Sequence, residues 1–273
     1  GKFYMGNDFR RDHSFRIPRP DLSVKYGTPN ACIGCHKDKT DEWAAEAVFK
    51  RKGAPKENHF SDLLIPGLKG GINAHTSLLK LAKDSIYPEI ARASAIIQLP
   101  NYRNQADVRK QLLAFLNDKS PLVRASTADA LNEISDPANL LYLLPLLNDE
   151  KRAVRIKAFG GLAIMNEKNV PQKYKTDYKK VEKEYFVYLD GISDFVGGRI
   201  NRANYILKKG NLQGAIKGYE SALNLDNINN LVRTNLANLY YQNGQLIKAE
   251  NAFKTIIKQI FIKFIIFYIT IFF

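Results

Sequence analysis

From Leu78 onward the hydrophobic and polar positions recur at helical spacing and fall into pairs of amphipathic segments separated by short polar turns. Three stretches align. Leu81-Ala82-Lys83-Asp84 leads into Glu89-Ile90-Ala91-Arg92-Ala93; Phe115-Leu116-Asn117-Asp118 leads into Pro121-Leu122-Val123-Arg124-Ala125; Leu146-Leu147-Asn148-Asp149 leads into Ala153-Val154-Arg155-Ile156. Each has a leucine-rich first helix, an Asp in the turn and a second helix opening on an apolar-Arg pair. The offset is 32 residues from Arg92 to Arg124, and 31 from Arg124 to Arg155, Leu116 to Leu147 and Asp118 to Asp149. The Leu, Ala and Val positions are the predicted core. The Asp suits a turn or a helix N-terminus, where unpaired N–H groups favour an anion.

This pattern is that of short HEAT-like units. A second, cleaner period follows. Ala203 and Ala237, Gly210 and Gly244, Leu212 and Leu246, Ala215 and Ala249, and Tyr219 and Phe253 are all 34 residues apart. That spacing, with small residues where two helices approach and Gly at the intervening turn, is the tetratricopeptide (TPR) spacing. Between the two arrays, Lys173, Lys175, Lys179, Lys180 and Lys183 share a predicted helix with Tyr178, Phe186 and Tyr188, read as a solvated face over a packed one. Two TPR units are few for a continuous core, so residues 176–195 are expected to supply a cap. The stretch from Gln259 to Phe273 is rich in Ile and Phe, carries Lys263 and breaks the period. A spanning helix needs ~20 predominantly apolar residues, which makes this tail a poor transmembrane candidate and leaves membrane association open.

The chain has 273 residues, is 45% hydrophobic and carries a formal net charge of +14. The positive excess is spread along the whole length, without the concentrated basic, aromatic-interleaved stretch of a nucleic-acid groove. A diffuse positive field suits an acidic redox partner or an anionic membrane surface. The opening residues, Gly1-Lys2-Phe3-Tyr4-Met5-Gly6, read as the interior of a domain, and the chain is expected to be a C-terminal piece of a longer protein.

The chemistry is concentrated at one place. Both cysteines of the chain stand in Cys32-Ile33-Gly34-Cys35, followed at once by His36. C-x-x-C-H is the c-type haem attachment pattern. Two thiols three residues apart can each add to one vinyl group of a porphyrin lying against the segment, and the next imidazole is then held beneath the iron. A structural zinc site would need a second ligand pair, and a thioredoxin-type redox pair expects a βαβ pattern that is not found. A disulfide over so short a loop would stabilise little. Cys32 and Cys35 are therefore read as the tethers and His36 as the proximal ligand of haem c iron.

For the opposite face of the iron the candidates are His13, His59, His75 and Met5. His13 is preferred, with His59 as the alternative; His75 falls in a helical pattern and is expected on a helix surface, and Met5 in packing. His13 lies in a segment containing Arg10, Arg11, Arg16 and Arg19, expected to be extended because of Pro18 and Pro20. Its arginines, Arg16 among them, could pair with haem propionates. Histidine at both axial positions would give an electron-transferring haem, whereas an open position would allow catalysis.

The stretch from Tyr4 through Arg10-Arg11-Asp12-His13-Ser14-Phe15-Arg16-Ile17-Pro18-Arg19-Pro20-Asp21, with Gly27-Thr28-Pro29-Asn30-Ala31-Cys32, Cys35-His36 and Trp43-Ala44-Ala45, resembles a family of bacterial, exported multihaem c-type cytochromes. Members carry paired C-x-x-C-H motifs followed by HEAT-like and TPR repeats. The resemblance covers about the first 55 residues. It implies haem assembly in the periplasm and further haems on a missing N-terminal part.

The reading is therefore all-α: a loop-rich c-type haem module over 1–58, HEAT-like repeats over 59–168, a connecting and capping helix over 169–197, two TPR units over 198–258 and an unassigned apolar tail over 259–273. The expected function is periplasmic electron transfer through haem c, with a redox partner docking on the repeats and no nucleic-acid partner. The alternatives are a haem enzyme of the multihaem reductase type, or an interaction scaffold without redox activity.

Overall fold

The computed structural model describes residues 18–54 and 59–272. Met5, Arg10, Arg11, His13 and Arg16 lie outside the described residues. Among those described, all regular structure is helical, in agreement with the all-α reading and its α-solenoid.

The helices are α1 (Pro20–Tyr26), α2 (Ala31–Cys35), α3 (Asp41–Lys52), α4 (Ser61–Lys69), α5 (Ala74–Lys83), α6 (Glu89–Gln98), α7 (Ala106–Phe115), α8 (Pro121–Ile134), α9 (Leu140–Leu143, continued by a 3₁₀ turn to Asn148), α10 (Arg152–Leu162), α11 (Lys175–Gly191), α12 (Val196–Lys208), α13 (Leu212–Leu225), α14 (Asn230–Gln242) and α15 (Leu246–Phe272). Successive second helices α6, α8 and α10 stack on one another, and α11 closes the stack. One continuous core results, with Leu78, Leu81, Ile96, Leu112, Val123, Leu131, Leu147, Val154, Phe159 and Leu162 fully buried. Leu81, Val123, Leu147 and Val154 of the aligned segments are among them, whereas Leu122 and Ala153, expected in the core, are exposed at the start of their helices.

A row of ion pairs links each unit to the next. Arg92 on α6 pairs with Asp118, Arg124 on α8 with Asp149 at 2.7 Å, and Arg155 on α10 with Glu184 on α11 at 2.9 Å. Each guanidinium also reaches backbone carbonyls of its own unit: Arg92 donates to Ala82 at 2.9 Å, Arg124 to Asp118 and Arg155 to Asp149, both at 2.8 Å. The carboxylates serve the turns as well, Asp118 accepting the Ser120 N–H and Asp149 the Lys151 N–H, both at 2.9 Å. Burial opposes ionisation of both aspartates, yet the arginine and backbone hydrogen bonds hold them below the usual carboxylate range.

The helices at the 34-residue period form a second core, with Ala203, Ala215, Ile216, Tyr219, Leu236 and Ala249 buried. Gly210 (φ 82°) and Gly244 (φ 73°) sit at the two equivalent turns in the left-handed region that glycine enters without strain. At the close approach of α12 and α13, a Cβ on Gly218 would lie 2.7 Å from the Ala203 Cβ. The two cores meet through α11. Tyr178 on α11 is fully buried and donates to the Met165 carbonyl at 3.1 Å, while Tyr205 on α12 joins the first core and donates to Glu182 at 3.0 Å.

Two expectations are corrected. His75 is not on a helix surface: it is 7% exposed, with Nε2 3.6 Å from Asp107 and its ring beside Tyr102, because α7 and the turn at Tyr102 cover that face of α5. The segment at Pro18–Pro20 does not stay extended. Pro20 is the first residue of α1, where its missing N–H costs nothing.

Removing one partner from the middle rung would leave a buried charge unpaired. Arg124→Ala is expected to cost about 3 kcal/mol in a urea titration of the full chain, and Arg124→Lys less, since it keeps the charge but loses the fork. The depressed aspartates also set an acid limit. Their contribution is fully present above the unfolded carboxylate value and is lost as pH falls through the folded one. Urea midpoints at neutral pH and in acid should therefore differ, and the gap should narrow in an Asp118→Asn/Asp149→Asn variant.

Candidate haem-attachment site

The cysteine motif forms a helix of a single turn, and its start is fixed by one side chain. Asn30 Oδ1 accepts the Cys32 N–H at 3.0 Å, capping α2, and Asn30 Nδ2 donates to Asp41 Oδ1 at 2.9 Å, tying that cap to the first turn of α3. Cys32 and Cys35 are three residues apart on the turn, so they share a helix face. Both thiols are free, Cys32 half-buried and Cys35 exposed. The chain leaves the helix at His36, whose backbone N–H donates to the Cys32 carbonyl at 2.9 Å.

The His36 side chain is exposed, and its ring lies against Trp43, with centroids 4.9 Å apart and planes tilted by 52°. Trp43 is placed by the cap of α3, where Thr40 Oγ1 accepts the Trp43 N–H at 3.3 Å. Ala44, the next residue, is 1% exposed, on a helix that packs against α1. On α3 and α1, Trp43, Phe49 and Val24 remain exposed, at 37%, 55% and 45%.

This geometry fits the donor set that a c-type haem needs. The thiols are reduced, Cys35 exposed and Cys32 half-buried, the imidazole follows them at the helix end, and the Trp43 ring lies beside that imidazole. Gly34, between the thiols, has no heavy atom within 4 Å of the place a Cβ would take, so the outer side of the turn is unobstructed.

The module is joined to the solenoid through α4. Asp62 accepts from Lys25 at 2.7 Å and from the Tyr26 hydroxyl at 2.5 Å, and these two bonds, Lys25 first, hold its carboxyl below the usual range. His59 sits at the same junction. Its Nδ1 faces the Ser61 hydroxyl at 2.7 Å and accepts the Ser61 N–H at 3.2 Å. Burial and the nearby Arg19 push the His59 pKa down. Arg19, one of the arginines considered for propionates, is forked onto its neighbour Asp21, with its closest contact at 2.7 Å. Asn30, Asp41 and Trp43 were not singled out from the sequence as site residues. The signal for Asn30 was a capping amide two residues before the first cysteine.

Residues 76–169 match the HEAT-repeat family. The chain is also similar to a TPR repeat-containing protein of Methanocaldococcus jannaschii, 26% identical over 138 residues, which is 48% of this chain and 24% of that relative. The matched stretch is thus about a quarter of the relative's length. No solved structure matches. The HEAT match begins well beyond the cysteine motif.

Replacing Asn30 by Ala removes the cap and the tether to Asp41 together. The expected cost is ~1 kcal/mol, seen as roughly five-fold faster hydrogen exchange of the Cys32 to Cys35 amides, with the solenoid amides unchanged.

Proposed function

We propose that this helical repeat protein is the haem-bearing and docking portion of an exported bacterial c-type cytochrome that transfers electrons in the periplasm. The observation that carries the reading is the pair of free thiols on one helical turn, with an exposed imidazole at its end. Bound at this turn, the haem would supply a reversible one-electron change at its iron. The chain's own residues have separate tasks. Cys32 and Cys35 tether the porphyrin, and His36 ligates the iron. Trp43 orients the His36 ring by packing against it, and Asn30 fixes the pitch of the turn that spaces the thiols. His13 is the proposed ligand of the opposite face and Arg16 a propionate partner. His59 is the alternative ligand, its Nδ1 hydrogen-bonded to Ser61. The HEAT and TPR arrays act as the docking mount, in keeping with the surfaces such arrays offer to other proteins.

A second reading, a repeat scaffold without redox chemistry, is favoured by one observation: the HEAT-family match lies wholly in the repeats, at residues 76–169.

Export of the chain with a c-type haem maturation system separates the two. The tethered reading expects a band that stains for haem on a denaturing gel and a mass increased by one porphyrin. Both should be lost in Cys32→Ser/Cys35→Ser while the helical circular dichroism is kept. A matured chain with no added mass leaves the scaffold reading in place.

A further inference from the structure

α15 is the longest helix, at 27 residues. Its counterpart one period earlier, α13, has 14 and ends at Leu225, which corresponds to position 259. The residues beyond 259 therefore run past the end of the repeat, by about 20 Å at the α-helical rise. The loss of cover is visible before that point. Tyr219 of the first unit is 3% exposed, and its equivalent Phe253 is 40% exposed.

The overrun is apolar over a wide arc. Ile257, Ile260, Phe261, Ile262, Phe264 and Ile265 are exposed by 67%, 57%, 63%, 45%, 65% and 40%. At 100° per residue these positions cover about 200° of the helix circumference. A groove on a protein takes a stripe of roughly 100°. An apolar surface twice as wide is matched by a medium that can enclose most of a helix, which is the acyl boundary of a bilayer. Charge points to the same medium. Lys254 is already paired with Glu250 at 2.7 Å, but beyond it the helix sequence contains Lys258 and Lys263 and no carboxylate, so an anionic surface is its electrostatic complement. Among the described residues no helix is long and apolar enough to cross a membrane.

We infer that the C-terminal half of α15 is a membrane-surface anchor that inserts its Ile/Phe face into an anionic phospholipid bilayer. The anchor holds the repeat array at the membrane, and this stands whether or not the cysteine turn carries haem.

The test is flotation of the full chain with vesicles of phosphatidylcholine containing about one quarter phosphatidylglycerol, beside vesicles of phosphatidylcholine alone, and light scattering without lipid. The expected result is binding to the anionic vesicles, weaker by about ten-fold on neutral ones and in a Phe261→Asp/Ile265→Asp variant. Both substituted side chains are exposed, so the variant should retain the wild-type circular dichroism. Three results would overturn the anchor: no flotation of the wild type, equal flotation of the variant, or a lipid-free oligomer that the same two substitutions dissolve, which would make a second copy of the chain the occupant.

Discussion

The solenoid depends on a repeated problem of charge burial. Each second helix carries an arginine whose guanidinium sits at the seam between two units, where its charge must be matched. Arg92, Arg124 and Arg155 solve this in the same way, gripping carbonyls of their own unit with one part of the fork and a carboxylate of the next with the other. Hydrophobic burial supplies most of the driving force for stacking but is indifferent to small rotations and slips. A planar fork with fixed partners on both sides is not. The pairs set the register of the stack more than its stability, since exchanging a buried ion pair for apolar residues is often close to neutral.

The last rung shows how the array is finished. Arg155 finds its carboxylate on α11, at Glu184, and not in another Asp turn. The same helix buries Tyr178, Val181 and Leu189 in the first core, and Glu182 accepts hydrogen bonds from Tyr205 and from Lys209 at the start of the second array. Lys179, Lys180 and Lys183 are exposed on this helix, Lys173 lies in the turn before it, and Phe186, expected in the packed face, is 41% exposed. A stretch that looks like a charged connector is in fact the piece on which both arrays are mounted, and burial among Tyr188, Asp129 and the core raises the Tyr185 hydroxyl to a pKa of about 12.

The cysteine turn is built on a different principle. Its thiols and imidazole stand at the surface, held by caps and a tilted ring contact and not by a core of their own. A module this small buries little apolar surface, and a covalently bound apolar group beside Trp43 would supply burial that the chain lacks. The Asp62 junction keeps the module against α4, so whatever the turn carries moves with the solenoid.

The periods and the motif were legible in the sequence because each is a local code. Helical spacing, a 31- or 34-residue recurrence and C-x-x-C-H can be read from neighbours along the chain. The left-handed glycines at 210 and 244 and the alanines at 203 and 237 are of this kind: their roles follow from backbone geometry and close helix approach. The aspartates in the turns were legible only by half. Their capping role is local, but their pairing joins residues 25 or 26 positions apart and appears only when the units stack. His75 was misread for the same reason: its exposure depends on α7 and Tyr102, which no pattern within α5 contains. Likewise Asn30, Asp41 and Trp43 became site residues only when α2 and α3 were set side by side. The sequence determined which segments are helices, how they repeat and where the thiols sit. The tertiary structure decided which charges meet and which faces stay open, because those depend on distances between elements that chain spacing does not carry.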